Sequence, residues 1–138
     1  RLYPDTEDTM GWDIGGSGFR IVLSAGVADV IKQYVGEDVS DFLSEHDLKI
    51  PDIARWVSHP GGPRVLEALE SVLDLHDGQL DVTWRSLEAI GNLSSSSVLH
   101  VLCDTLSGSV DGAPESGTPG MLMAMGPGFC AELVLLEW

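Results

Sequence analysis

The chain has 138 residues, 43 % of them hydrophobic, enough for one folded domain with its own core. Its formal net charge is −15, from 22 acidic and 7 basic residues. That balance argues against nucleic acid and against an anionic membrane surface, both of which need clustered Lys and Arg, and no apolar run approaches the roughly 20 residues of a membrane span.

An anionic ligand must find one of few cations: Arg20, Lys32, Lys49, Arg55, Arg64 or Arg85, besides Arg1 at the start. Cys103 and Cys130 have no CxxC spacing and read as buried thiols in a reducing cytoplasm rather than a disulfide framework. The sequence opens on Arg1, not Met, and its last residue, Trp138, follows the apolar run "AELVLLE". The expectation is a piece of a longer protein.

In chain order, residues 1–18 are acidic and Gly-rich, with at most short strands. "FRIVLS" (19–24) alternates as a strand does. "GVADVIKQYVG" (26–36) reads as a helix stopped by Gly36, and "DVSDFLSEHDL" (38–48) as a second helix capped by Asp38 or Ser40. "IARWVS" (53–58) is a strand. Pro63 suits the first turn of a helix, and Val65, Leu66, Leu69, Val72 and Leu73 give that helix one buried stripe. "DGQL" (77–80) is a turn, and "DVTWRSLEAIG" (81–91) is a helix ended by Gly91. "NLSSSSVLHVLCDTLSG" (92–108) reads as a helix capped by Asn92, apolar on most sides and therefore covered on most sides. Residues 109–120 are loop by composition, and "MLMAM" and "FCAELVLLEW" are strands joined by Gly126-Pro127-Gly128. The class is mixed α/β.

Three short segments could carry chemistry. In "WVSHPGGPRVLEALE" (56–70), His59 stands where a strand turns into a helix, the position at which α/β sheets bind ligands. Gly61 and Gly62 permit close approach, and the helix after Pro63 offers free N–H groups and a positive dipole end. His59 is either a turn histidine with a satisfied hydrogen bond or an electrostatic and acid–base group. Asn92 is either an N-cap or an amide donor to an oxyanion. "MGPGF" (125–129) is either a plain turn or a backbone-exposed corner of a site. His46, His76 and His100 have no partner motif and read as structural.

Taken together and in this order, "WVSHPGGPRVLEALE", "AIGNLSSSSVLHVL" and "MAMGPGFCAELVLL" resemble the C-terminal part of a type III polyketide synthase, the chalcone synthase-like family. The resemblance covers nearly the whole chain, from about Met10 onward. Related initiating ketoacyl synthases usually carry His-Gln-Ala-Asn where this chain has His-Pro-Gly-Gly, which favours the polyketide branch. The resemblance implies an α/β chain that is the C-terminal part of a thiolase-like fold, layered αβαβα in the full enzyme, which is a homodimer. It implies a C-terminal domain over residues 1–138 that lacks the N-terminal half.

The implied activity is condensation of an acyl-CoA starter with malonyl-CoA by decarboxylative Claisen chemistry on a Cys-His-Asn triad. CoA thioesters are substrates, and no cofactor or metal is implied. His59 takes the place of the triad His and Asn92 that of the triad Asn. The family's Cys lies in the N-terminal half, and neither Cys103 nor Cys130 matches it, so the isolated chain is expected to be inactive. Ile21, Ser94, Met125, Gly126, Pro127 and Gly128 fall at substrate-pocket positions; Ile21 and Met125 stand where plant members usually have Phe, which favours an aliphatic starter. Gly61, Gly62 and Arg64 fall near the CoA. Two alternatives stay open: a thiolase-fold ketoacyl synthase using acyl carrier protein, and an inactive fragment acting as an interaction module.

Overall fold

A three-stranded sheet organises the domain, in the order β3-β4-β5: β3 (Arg55–Ser58), β4 (Pro119–Gly126) and β5 (Cys130–Glu137). The computed structural model describes residues 1–76 and 78–138. β3 and β4 run parallel, with Trp56 opposite Met121 and Ser58 opposite Met123. β4 and β5 form an antiparallel hairpin in which Gly126 faces Cys130 across the Gly-Pro-Gly turn. A parallel pair needs a long crossover. Here it contains α3 (Pro63–Leu73), α4 (Asp81–Ile90) and α5 (Ser96–Ser107).

Both faces of β3 are covered. Trp56 belongs to the main core with Met121, Met123, Leu66, Leu69 and Leu73, while Val57 faces the other way against Val82 of α4 and Val101 of α5. A strand buried on both faces reads as a continuous apolar run, as this one does. The Met121, Met123 and Met125 alternation puts all three into the main core. The stripe expected on α3 is present: Leu66, Leu69 and Leu73 are buried, and Val65 and Val72 pack against the core.

The region 26–48 departs from expectation. α1 (Val27–Val30), a π turn (Ile31–Val35) and α2 (Gly36–Ser44) form one helical run. Gly36 does not stop it. Gly36 has ordinary helical angles, φ −62° and ψ −45°, and a Cβ there would lie 3.2 Å from the Val72 carbonyl oxygen of α3. Glycine is used here for helix–helix approach. Asp38 and Ser40 consequently lie inside the run rather than at a cap, and the Ser40 hydroxyl donates to the Gly36 carbonyl at 2.8 Å. Val27, Ile31, Val35, Val39 and Leu43 are all buried at four-residue spacing. Such a stripe drifts around a helix of 3.6 residues per turn, and the wider π turn brings it back into line.

The remaining boundaries follow the glycines. α4 ends at Gly91 (φ 74°) and α5 at Gly108 (φ 64°). The turn expected at 77–80 includes Asp77, which lies outside the described residues; Gly78–Leu80 are in a turn. α5 begins at Ser96, not Asn92. It buries Ser97, Val101 and Thr105, so its small polar residues face inward, while Leu99 and Leu106 are more than half exposed. Cys103 is exposed and Cys130 half-buried, which corrects the expectation of two buried thiols.

β1 (Met10–Gly15) and β2 (Gly18–Leu23) form a separate antiparallel hairpin. Trp12 faces Ile21 and Ile14 faces Phe19, so these four side chains share one face, and each is at least half exposed.

Candidate active site

The strand β3 delivers His59 to a tight corner. Its N–H donates to the Met123 carbonyl at 2.9 Å, carrying the ladder one residue beyond the strand. The Gly61 N–H then donates back to the His59 carbonyl at 2.8 Å. Gly62 has φ +146°, a backbone state that side chains rarely adopt, and its carbonyl receives the N–H groups of Val65 and Leu66 in the first turn of α3. Gly61 has its own constraint: a Cβ there would lie 3.1 Å from Cγ1 of Val65. Gly62 is thus required by its backbone angle, while a side chain at Gly61 would have to displace Val65 by a few tenths of an ångström.

His59 is half-buried. Desolvation pushes its pKa below the ordinary histidine value, so near pH 7 the imidazole is neutral, with one N–H to donate.

Asn92 reaches the same corner from 31 residues away from Gly61. Its Nδ2 donates to the Gly61 carbonyl at 3.3 Å, two residues on from His59. Its Oδ1 accepts the Ser94 N–H at 2.9 Å. Asn92 is therefore not the N-cap of α5. Ser94 adopts φ +60° and breaks the helical path, and α5 starts two residues later. The Ser97 hydroxyl accepts the Leu93 N–H at 2.6 Å, and the Ser96 hydroxyl donates to the Leu93 carbonyl at 2.8 Å. Serines favour such local bonds over regular helix, and the four-serine run was the signal in the sequence that the helix starts late. The Gly61 carbonyl as partner of Asn92 had no sequence signal.

The other candidate residues fall in two groups. Ser94 is exposed beside Asn92, and Arg64 is exposed in the first turn of α3 with no ion pair among the described residues. At the C-terminal end of β4, the same end of the sheet as His59, Met125 is buried in the core, and the turn of Gly126, Pro127 and Gly128 is fastened to the β1–β2 hairpin by the Gly128 N–H donating to the Met10 carbonyl at 2.8 Å. Ile21 lies on the exposed apolar face of that hairpin. Two surface cavities, of about 400 and 460 Å³, lie elsewhere, and neither is lined by His59 or Asn92. The corner itself is open, since Asn92, Leu93 and Ser94 are all exposed. Among the described residues no His, Cys, Asp and Glu cluster could hold a metal, and no helix is long and apolar enough to cross a membrane.

This architecture is that of the type III polyketide synthases, with their thiolase-like fold. The chain aligns with 1,3,6,8-tetrahydroxynaphthalene synthase of Streptomyces coelicolor A3(2), a bacterial type III polyketide synthase, at TM-score 0.91 and 29 % identity, over 100 % of this chain and 38 % of that one. With PKS-I of the brown alga Ectocarpus siliculosus the TM-score is 0.88 at 31 % identity, over 99 % and 37 %. Residues 1–138 match the family of chalcone and stilbene synthases, C-terminal domain, and the chain belongs to that family. Among curated relatives, the 1,3,6,8-tetrahydroxynaphthalene synthase of Streptomyces peucetius subsp. caesius is 55 % identical over 137 residues, 99 % of this chain. The chain spans 36 % of that relative's length.

Proposed function

We propose that this chain supplies the His and Asn of a Cys-His-Asn condensing site in a type III polyketide synthase that joins an acyl-CoA starter to malonyl-CoA. The observation that carries the reading is the bond from the Asn92 carboxamide to the Gly61 carbonyl, which brings both groups to one open corner at the end of β3. Strand-end corners of this kind are where α/β folds place their ligands.

The chemistry follows from the donors. When malonyl-CoA loses CO2, the electron pair of the breaking C–C bond passes onto the thioester, giving an enolate with its charge on oxygen. A neutral His59 and Asn92 each offer an N–H to that oxygen, and neither must act as a base, because decarboxylation itself makes the carbanion. The enolate carbon then attacks the acyl carbonyl of a cysteine thioester; the new C–C bond forms as the C–S bond breaks, and the cysteine leaves as its thiolate. The chain's own thiols do not fit that role: Cys103 is on the outer face of α5, and Cys130 opens β5 on the other side of the Gly-Pro-Gly turn. The nucleophile comes from the remainder of the synthase, and this chain alone has no condensing activity. In the complete enzyme the thiolate pulls the His59 pKa upward, against the effect of burial, giving an ion pair before acylation.

Ile21, Ser94, Met125 and the turn of Gly126, Pro127 and Gly128 line the pocket on this reading, while Gly61, Gly62 and Arg64 at the start of α3 take the CoA. The exposed apolar hairpin face is then a wall awaiting the rest of the enzyme. A small aliphatic starter suits Ile21 and Met125, and a relative named for a naphthalene oxygenated at positions 1, 3, 6 and 8 fits assembly from two-carbon units. No cofactor is required.

The test is His59→Ala in the complete synthase, with release of labelled CO2 from malonyl-CoA as the readout. Loss of one donor is expected to slow decarboxylation about 100-fold or more. A rate within a factor of about three of the unmodified enzyme, well below the usual cost of an oxyanion donor, overturns the assignment.

A further inference from the structure

Building on the reading of Ile21 and the Gly-Pro-Gly turn as pocket walls, we propose that Thr6 is a positioning residue for starter selectivity: its buried hydroxyl closes the strap of residues 3–10 that holds these two walls at one spacing. No shared sheet joins the walls. Among the described residues, the β1–β2 hairpin that carries Ile21 pairs with no strand of the β3-β4-β5 sheet, and every residue of β2 is exposed. The strap makes the connection. At one end the Tyr3 N–H donates to the Phe129 carbonyl at 3.1 Å, and the Tyr3 ring stacks on that of Phe129, the residue after Gly128, with centroids 5.8 Å apart. At the other end the Met10 carbonyl accepts the Gly128 N–H at 2.8 Å, and the Thr9 carbonyl accepts the N–H of Ser24, just past β2, at 2.8 Å. The strap thus grips the turn from both of its ends and the base of the hairpin from one.

Thr6 joins the two ends. It is 6 % exposed, its hydroxyl donates to the Tyr3 carbonyl at 2.8 Å, and its own carbonyl accepts the Thr9 N–H at 2.9 Å. Among the described residues nothing else donates to the Tyr3 carbonyl. Tyr3 is 1 % exposed and stacks on Tyr34 as well, with centroids 4.9 Å apart, so water is poorly placed to replace the hydroxyl. A buried acceptor left without a donor is costly, more so than the bond itself is stabilising. Thr6→Val nearly keeps the shape of the side chain and removes the donor. The Tyr3 carbonyl then turns toward water, and the strap slackens between the turn and the hairpin. The side chains of His59 and Asn92 make no bond to the strap among the described residues. The change therefore falls on which starter fits, not on how malonyl-CoA loses CO2.

The complete synthase is tested as Thr6→Val and Thr6→Ser, with acetyl-CoA and octanoyl-CoA as alternative starters. In Thr6→Val the octanoyl-to-acetyl ratio of kcat/KM is expected to rise about 10-fold or more, the scale on which an apolar pocket discriminates chain length, while malonyl-CoA decarboxylation stays within about threefold of the parent. Thr6→Ser keeps the hydroxyl and loses only the methyl, and is expected to hold the parent ratio. A ratio that does not rise in Thr6→Val overturns the proposal. So does a Ser variant as altered as Val, which means that the methyl matters. So does a loss of decarboxylation as large as the loss of condensation, which means general damage. Circular dichroism checks folding. If Thr6→Val does not fold, Thr6→Ala replaces it, and its ratio must exceed that of Thr6→Ser. Ile21→Phe is run alongside and, by narrowing the pocket, must lower the ratio. If it does not, the reading of the pocket walls has itself failed, whereas a lowered ratio there with an unmoved Thr6→Val refutes only the role of Thr6.

Discussion

Replacing Asn92 by Ala separates catalysis from stability, because the residue is exposed and yet sits at the centre of the corner. Its two hydrogen bonds, to Gly61 and from Ser94, lie where water can take over both backbone partners. An intramolecular hydrogen bond contributes about 0.5–1.5 kcal/mol net, and at an exposed site with water as replacement the pair is expected to cost no more than about 1 kcal/mol. That is a shift of roughly 2–4 °C in the melting midpoint. Loss of a donor to the enolate oxygen costs about 2.7–4 kcal/mol of barrier, or 100- to 1000-fold in rate. Catalysis should therefore fall by two to three orders of magnitude while stability barely moves. Asn92→Asp sharpens the argument. Its carboxylate still accepts from the Ser94 N–H, but it offers no donor, opposes the Gly61 carbonyl, and sets a negative charge beside the developing one. At about 4 Å and an effective dielectric constant near 20 that repulsion approaches 4 kcal/mol. The Asp variant should be slower than the Ala variant in malonyl-CoA decarboxylation by the complete synthase. An Asp variant as fast as Ala, or an Ala variant within about threefold of the parent, against the 100-fold expected of a lost donor, refutes the reasoning.

Two further outcomes are expected. Burial lowers the His59 pKa in the folded state, so the unfolded chain binds the proton first; the stabilisation belonging to the neutral form is complete above the unfolded value near 6.5 and is lost as pH falls through the lower folded value. Urea midpoints of this chain should drop more steeply below pH 6.5 than those of His59→Gln, and parallel pH profiles would contradict this. At Gly36, alanine gains about 1 kcal/mol of helix propensity but places its Cβ 3.2 Å from the Val72 carbonyl oxygen, so Gly36→Ala should lie within about 1 kcal/mol of the parent. Gly36→Leu cannot be absorbed by so small a shift and should destabilise by a further 1–3 kcal/mol, and an equally stable Leu variant would show that α2 and α3 are not tightly packed there.

The sequence by itself determined what short-range chemistry can encode. Pro63 marked the start of α3, the Val65 to Leu73 stripe the buried face of α3, and Gly91 the end of α4, because cap geometry and 3.6-residue periodicity are local. The order of the His-Pro-Gly-Gly, Gly-Asn-Leu-Ser and Gly-Pro-Gly motifs carried the family. What the tertiary structure alone decided were features set by partners distant in the chain. Gly36 looks like a helix stop until α3 packs across it. Asn92 looks like a cap until the Gly61 carbonyl arrives from 31 residues upstream and turns its amide outward. Cys103 looks buried by residue type until α5 turns Ser97, Val101 and Thr105 to the sheet instead. Residue type and spacing specify which backbone states are affordable, but the direction from which a neighbour approaches is fixed only when the whole chain closes on its core.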